Sequence, residues 1–360
     1  SSVITNALSI SKKENTTLTF YKEFDVPNIW EDYRAILQFQ ARSAYYIWVN
    51  HQFVGYSEDS RDYSEFDISK FLKYGEKNFV VIQVISTSDG SLLESNFSRS
   101  FVGITSDVSV VLKPVVSVYD FKITSDYDNH TGRFDFDVKA QIDNVKKKGK
   151  YYVEVELWGP KGEEVEKMGK WIVFDKRTEI SCSIGREFYG LKPWSVEHPS
   201  LYTAVIRVRD EEMNLIESVG SRFGFRTVEI DNGLLKVNGS TILLKGVVYA
   251  DANLKSRSQL EEDLRMMKLN NINAIRTAYY SPASPLFYEL CDKYGFYVFC
   301  DANIQPFSQK SKAVATDVTY SDLFVARVQD MYDRYKNHPS IIAWSLGPST
   351  DNGICMENAY

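Results

Sequence analysis

The sequence has no long apolar run, so no segment could span a bilayer as a helix. It has no stripe of Lys and Arg, and its net charge is −6. Nucleic acid and membrane are therefore not expected as partners. Cysteine is scarce. Cys182, Cys291, Cys300 and Cys355 form no C-x-x-C pair, and Cys291 and Cys300 sit inside apolar patterns where a free thiol behaves as a small hydrophobe. Reduced thiols and a cytoplasmic location are the expectation. The histidines His51, His130, His198 and His338 do not cluster, so no metal site and no cofactor is expected. The first residues do not read as a signal peptide, although the chain begins without Met. Asn15, Asn96, Asn129 and Asn238 head N-x-S/T sequons, a pattern common enough by chance to carry little weight for secretion.

Aromatic residues are plentiful, with 23 Tyr, 21 Phe and 6 Trp, which suits β structure better than a sugar-binding surface alone. Up to residue 116 the chain reads as short strands separated by polar turns. The segments 18–26, 34–41, 44–49, 79–85 and 108–112 are rich in β-branched and aromatic residues. A sandwich is expected.

A second β unit follows over 117–228. Phe134, Phe136 and Val138 alternate with charged residues, and Val153, Val155 and Leu157 alternate with Glu154 and Glu156. This period of two predicts one face inward and one outward. An immunoglobulin-like sandwich fits. The run Lys146-Lys147-Lys148-Gly149-Lys150 reads as a solvated turn between two of its strands.

The pattern changes near residue 229. Asn238-Gly239 predicts a tight type I′ hairpin between segments 234–237 and 241–244. Strands then alternate with helices. Strands are expected at 243–248, 272–276, 296–300 and 341–346. The last is nearly all apolar, which predicts a strand buried on both faces. Ser258 to Glu261 reads as a capping box, Ser284-Pro285 opens the next helix, and Gly295 closes it. Phe324, Val328, Met331 and Tyr335 mark a third helix. This is parallel β/α architecture. A closed (β/α)8 barrel needs eight strands, and only four are found, so the expectation is the first half of a TIM barrel.

Several motifs resemble β-galactosidases of glycoside hydrolase family 2. They include Trp48 to Arg61, Ser64-Glu65-Phe66-Asp67, Ser88 to Glu94, Gly103-Ile104, Asp107-Val108 and Pro193 to Tyr202. They continue with Arg222-Phe223-Gly224-Phe225-Arg226, Leu234 to Gly246, Asn273 to Arg276, Leu290 to Gly295, Asp301 to Ile304 and Lys336 to Gly347. The resemblance implies a multidomain β and α/β chain. A sugar-binding jelly-roll sandwich would span 1–116, an immunoglobulin-like sandwich 117–228, and the first half of the barrel 229–360.

The resemblance also implies where the chemistry should be, and there the sequence departs from the family. After the fourth strand the family carries Asn-Glu, the Glu being the catalytic acid/base; here the residues are Pro348-Ser349. A family run of the type Asn-Arg-His-Glu-His corresponds to Val248 to Ala252, and a pocket His corresponds to Tyr279. The Glu-Thr-His-Gly run, whose Glu and His serve a magnesium site, corresponds to Gln305-Pro306-Phe307-Ser308. The loop 95–100 lacks the family's acidic and aromatic residues. No catalytic residue is therefore assigned, and Ser349 marks the degenerate acid/base position. Asp251, Asp301, Asn303, Tyr279 and Trp344 are the candidates for substrate contact.

The expectation is a β-galactosidase-like protein that is catalytically inactive and acts as a structural or interaction component. The alternatives are an active β-galactosidase with displaced catalytic groups, and a carbohydrate binder that does not cleave. The expected partner is the remaining barrel half or another chain that covers the 229–360 face, within a larger assembly or a homo-oligomer; a carbohydrate ligand is also considered.

Overall fold

A computed structural model of the chain describes residues 15–60, 63–94, 102–250, 252, 255–277, 282–306, 308–348 and 350–360, with the backbone only at 308 and 309. The site expectations at Asp251, Tyr279, Ser349 and the loop 95–100 fall outside the described residues.

The first unit is two antiparallel sheets facing each other. One has the order Thr17–Val26, Glu76–Ile85, Ala44–Val49, Gln52–Ser57; the other has Ser64–Asp67, Tyr33–Phe39, Ser109–Pro114. Along Glu76–Ile85 every second residue is inward, and Val80, Ile82 and Val84 meet Leu37, Phe39, Tyr45 and Ile47 in one apolar core. Strands Gln52–Ser57 and Ser64–Asp67 lay inside the motif read from the sequence but were not expected as strands.

The second unit packs the three-stranded sheet Val116–Asp128, Arg133–Asn144, Glu179–Tyr189 against the four-stranded sheet Glu164–Asp175, Lys148–Trp158, Tyr202–Arg209, Leu215–Phe223. Phe134, Phe136, Val138, Val153, Val155 and Leu157 fill the core, as their alternation requires. Glu154 and Glu156 depart from expectation. They point away from the core, yet both are buried. Lys167, Arg207 and Arg209 lie across them, with ion pairs of 3.1–3.4 Å. The long basic stems thus shelter the carboxylates from water.

In the third unit the hairpin Leu234–Val237 / Ser240–Thr241 turns at Asn238 and Gly239, with φ of 52° and 75°. Two successive positive φ values are what a type I′ turn requires. The strands Gly246–Val248, Ala274–Arg276, Tyr297–Asp301 and Ile341–Ser345 then pair in parallel, in chain order. The first begins later than its sequence suggests, and Leu243 and Leu244 lie exposed before it. The fourth pairs on one side only among the described residues, and only Ile341 is fully buried. A strand expected to be covered on both faces is therefore half-covered. The first helix, Arg257–Leu269, is capped two residues earlier than read from sequence. Ser256 Oγ accepts from Gln259 N and Gln259 Oε1 accepts from Ser256 N. An extra helix, Ser308–Thr316, precedes Ser321–Tyr335. No helix among the described residues is long and apolar enough to cross a membrane.

Helix Pro285–Tyr294 ends at Gly295 with φ 73°, and this glycine is where the second unit docks. A Cβ there would lie 2.4 Å from Val196 O. Next to it Trp194, fully buried, donates from Nε1 to Asp292 O at 3.0 Å, and Lys268 Nζ donates to Val196 O at 2.9 Å. Gly295→Ala is expected to cost at least ~2 kcal/mol, from the left-handed backbone and the carbonyl contact together. A lowered urea midpoint would register it. An unchanged midpoint would mean that the seam between these units adapts freely.

Candidate functional site

In a parallel β/α sheet, side chains at the carboxyl ends of the strands converge on one face, where barrel enzymes do their chemistry. Here that face carries Tyr249 after the first strand, Arg276 ending the second, Asp301 ending the third with Asn303 beyond it, and Pro348 after the fourth.

Asp301 is fully buried and makes a two-pronged ion pair with Arg276. Nη2 donates to Oδ1 at 2.9 Å and Nε donates to Oδ2 at 3.1 Å. The Arg276 side chain is 45% exposed while that of Asp301 is 0%. The pair is adjacent because strands two and three are in register as neighbours, with Arg276 opposite Phe299. A buried carboxylate held this way is a structural anion, since releasing it would strand a charge in the interior.

Asn303 turns the other way, toward the first unit. Its Nδ2 donates to Asp59 Oδ1 at 2.8 Å and to Glu94 Oε1 at 2.9 Å. Glu94 is the centre of a buried network. Arg327 Nη2 donates to its Oε1 at 2.8 Å, and Ser60 donates to it from both backbone and hydroxyl. Arg327 also reaches Glu58 O at 2.9 Å. Gln305 N donates to Leu93 O at 2.5 Å, adding a backbone link across the same seam. Burial pushes the Glu94 carboxyl above its ordinary value and nearby Asp59 adds to this, while Arg327 and Ser60 oppose it.

Trp344 packs against Tyr332 of the preceding helix, edge to face with centroids 5.3 Å apart, and contributes to the core between sheet and helices. His338 lies at the opposite end of its strand, with Nδ1 2.6 Å from Asp292 Oδ2. Gly347, at φ 132°, lets the loop after the fourth strand press on Ile304 O, where a Cβ would come within 2.3 Å. Thr350 Oγ1 donates to the same carbonyl at 3.3 Å.

Of the sequence candidates, then, Asp301 and Asn303 share one strand end but serve different partners, and Trp344 belongs to the packing. Arg276, Glu94, Asp59, Ser60 and Arg327 were not singled out. Four of them stood within the quoted motifs. Arg327 carried the one independent signal, a charged residue beside the apolar stripe of Phe324, Val328 and Met331. Among the described residues no group of three His, Cys, Asp or Glu side chains could hold a metal ion.

Three family models match the chain in succession. They are the sugar binding domain of glycosyl hydrolases family 2 over residues 2–114, the glycosyl hydrolases family 2 domain over 116–226, and the TIM barrel domain of the same family over 228–359. The chain is 35% identical over 366 residues to a beta-galactosidase of Priestia megaterium, which covers 97% of this chain and 35% of that protein. It is 38% identical over 330 residues to one of Pectobacterium atrosepticum, covering 88% of this chain and 31% of the other. The chain thus spans about a third of the length of these curated relatives. A Bacteroides uniformis beta-glucuronidase superposes with a TM-score of 0.79 at 20% identity, over 91% of this chain and 40% of that one. A putative beta-galactosidase of Bacteroides fragilis superposes at 0.76 with 17% identity, over 92% and 50%. At these identities the likeness speaks for the fold. With all three family models matched in order, the chain belongs to glycoside hydrolase family 2.

Proposed function

We propose that this chain is a family 2 glycosidase scaffold that has lost acid/base chemistry and works as a structural or interaction component. The observation that carries this is the pair Pro348-Ser349 where the family has Asn-Glu. A retaining glycosidase needs two carboxyl groups ~5–5.5 Å apart, one of them able to deliver a proton to the leaving oxygen. A serine hydroxyl cannot do that near neutral pH. Relocation to another acid finds little support. Asp301 is locked to Arg276, and Glu94 is buried against Arg327.

The proposed partner is a set of further strands, from the same or another chain, that completes the parallel sheet. A cytoplasmic location is proposed too, because Cys182, Cys291, Cys300 and Cys355 are buried free thiols.

The test is turnover of an activated aryl β-galactoside by the complete protein and by Ser349→Glu. Neither is expected to turn over substantially. Pro348 offers no side-chain donor to orient a sugar, and positioning carries much of an enzyme's rate. Substantial turnover by the unmodified protein would overturn the proposal.

A further inference from the structure

The run Arg222-Phe223-Gly224-Phe225-Arg226 leaves one residue without a structural task. Phe223 and Phe225 fill the core of the second unit, and Gly224 lies under Trp194. Arg226 is half-buried and donates from Nη2 to Ile341 O at 2.6 Å, tying this unit to the fourth parallel strand. Arg222 is exposed and has no acidic partner among the described residues.

Arg222 lines a groove of about 610 Å³ on the outer face of the four-stranded sheet, which shares no residue with the strand-end face. Register places it directly opposite Thr203, and Thr203 opposite Trp158. The floor is therefore a row of guanidinium, hydroxyl and indole across three strands. Pro160 and Pro199 stand at its walls. Arg207 is the other charged residue of the lining. Its two terminal nitrogens grip Glu156 at 3.1 Å each, and its Nε is buried without a partner. Among the described residues no acid is part of the lining itself; Glu156 lies behind it, bonded to Arg207 and to Trp158 Nε1, and Glu163 lies beside Gly159.

We propose that this groove binds a small ring compound that carries a carboxylate. The volume suits one or two rings, as small-molecule sites commonly run from ~300 to 1,000 Å³. Arg222 can take a carboxylate through two parallel N–H bonds, a geometry that lysine lacks. Trp158 offers an aromatic surface for the ring, and Thr203 a hydroxyl for a polar substituent. Glu156 pins Arg207 in place and balances its charge, so the cation left to meet a ligand anion is Arg222. A sugar acid and an aromatic acid share this chemistry, and the test separates them.

The whole chain is titrated with glucuronate, benzoate and neutral galactose, with binding followed by calorimetry or protein-observed NMR. At least one acid is expected to saturate with a Kd in the millimolar range or tighter, and galactose to bind at least ~10-fold more weakly than that acid. Arg222→Ala should weaken the acid ~10-fold or more, Arg222→Lys less so, and raised salt should weaken it further. Arg222 is exposed, so both variants should keep the wild-type melting temperature. Tighter binding of glucuronate identifies the source as a saccharide; tighter benzoate identifies an aromatic acid. Failure of both acids to saturate, equal binding of galactose, or unchanged binding by Arg222→Ala would overturn the proposal.

Discussion

Replacing Arg327 by alanine is expected to destabilise the protein by about 3–5 kcal/mol, the usual cost of removing one partner from a buried ion pair. The side chains of Arg327 and Glu94 are only 2% and 6% exposed, and among the described residues no second cation pairs with Glu94. Without the guanidinium, Glu94 keeps Asn303 and Ser60 as donors but loses the cation that offsets its burial and the nearby Asp59. The carboxyl already sits above its ordinary value, and loss of Arg327 removes an influence that lowers it. The sign follows. An acid whose folded-state value is raised binds its proton more tightly when folded than when unfolded, so protonation favours the fold. The deficit of Arg327→Ala should therefore be largest near pH 8 and shrink as pH falls through the raised Glu94 value. Adding Glu94→Gln should recover part of the loss at pH 8, because the stranded charge is gone. Urea unfolding at pH 8 and pH 5 measures both. A deficit under ~1 kcal/mol, or one independent of pH, would show that this seam between the first and third units is not held by the pair.

How far the sequence disclosed this arrangement depends on how local each signal was. The alternation of Phe134, Phe136 and Val138 predicted their burial because a strand has only two faces. Asn238-Gly239 predicted its turn because few residues accept two positive φ values in succession. The capping box slipped by two residues because Ser256 and Ser258 offer the same chemistry, and only the helix start decides between them. Glu154 and Glu156 defeated the alternation rule for a different reason. Their cover comes from Lys167, Arg207 and Arg209 on neighbouring strands, a pairing that no local pattern encodes. The strand-end face was legible as a place and not as a set of contacts. Asp301 could be located from its strand, but Arg276 as its partner required the parallel register. Asn303 could be located too, yet its partners Asp59 and Glu94 are more than 200 residues away.

The polypeptide from Ser1 to Tyr360, taken alone, is expected to bind a hydrophobic dye strongly and to self-associate as its concentration rises. Parallel sheets are stable when both faces are covered and their edges are paired. Here Gly246–Val248 and Ile341–Ser345 are the two edges of a four-stranded parallel sheet. Each presents a row of backbone donors and acceptors with no sheet partner among the described residues. Apolar side chains lie beside both edges. Val248 is 57% exposed and Leu243 73%, while Ile342, Ala343 and Trp344 are only half-covered. On the helical side the same unit buries Leu260, Leu264, Phe287, Phe324 and Met331 well. Met266, Leu269, Val318 and Val325 are exposed on or beside the helices as well, and the open edges and half-covered fourth strand add to them the exposure that a partly built barrel would show. Soluble monomers seldom leave contiguous apolar patches larger than a few hundred Å². Further strands docking there would quench the dye signal and abolish the concentration dependence, whichever chain supplied them. Sedimentation of the polypeptide across a hundredfold range of concentration, with dye fluorescence on the same samples, decides the matter. A monodisperse monomer that ignores the dye would mean that the four-stranded sheet is self-sufficient, and the proposed covering partner would fall with it.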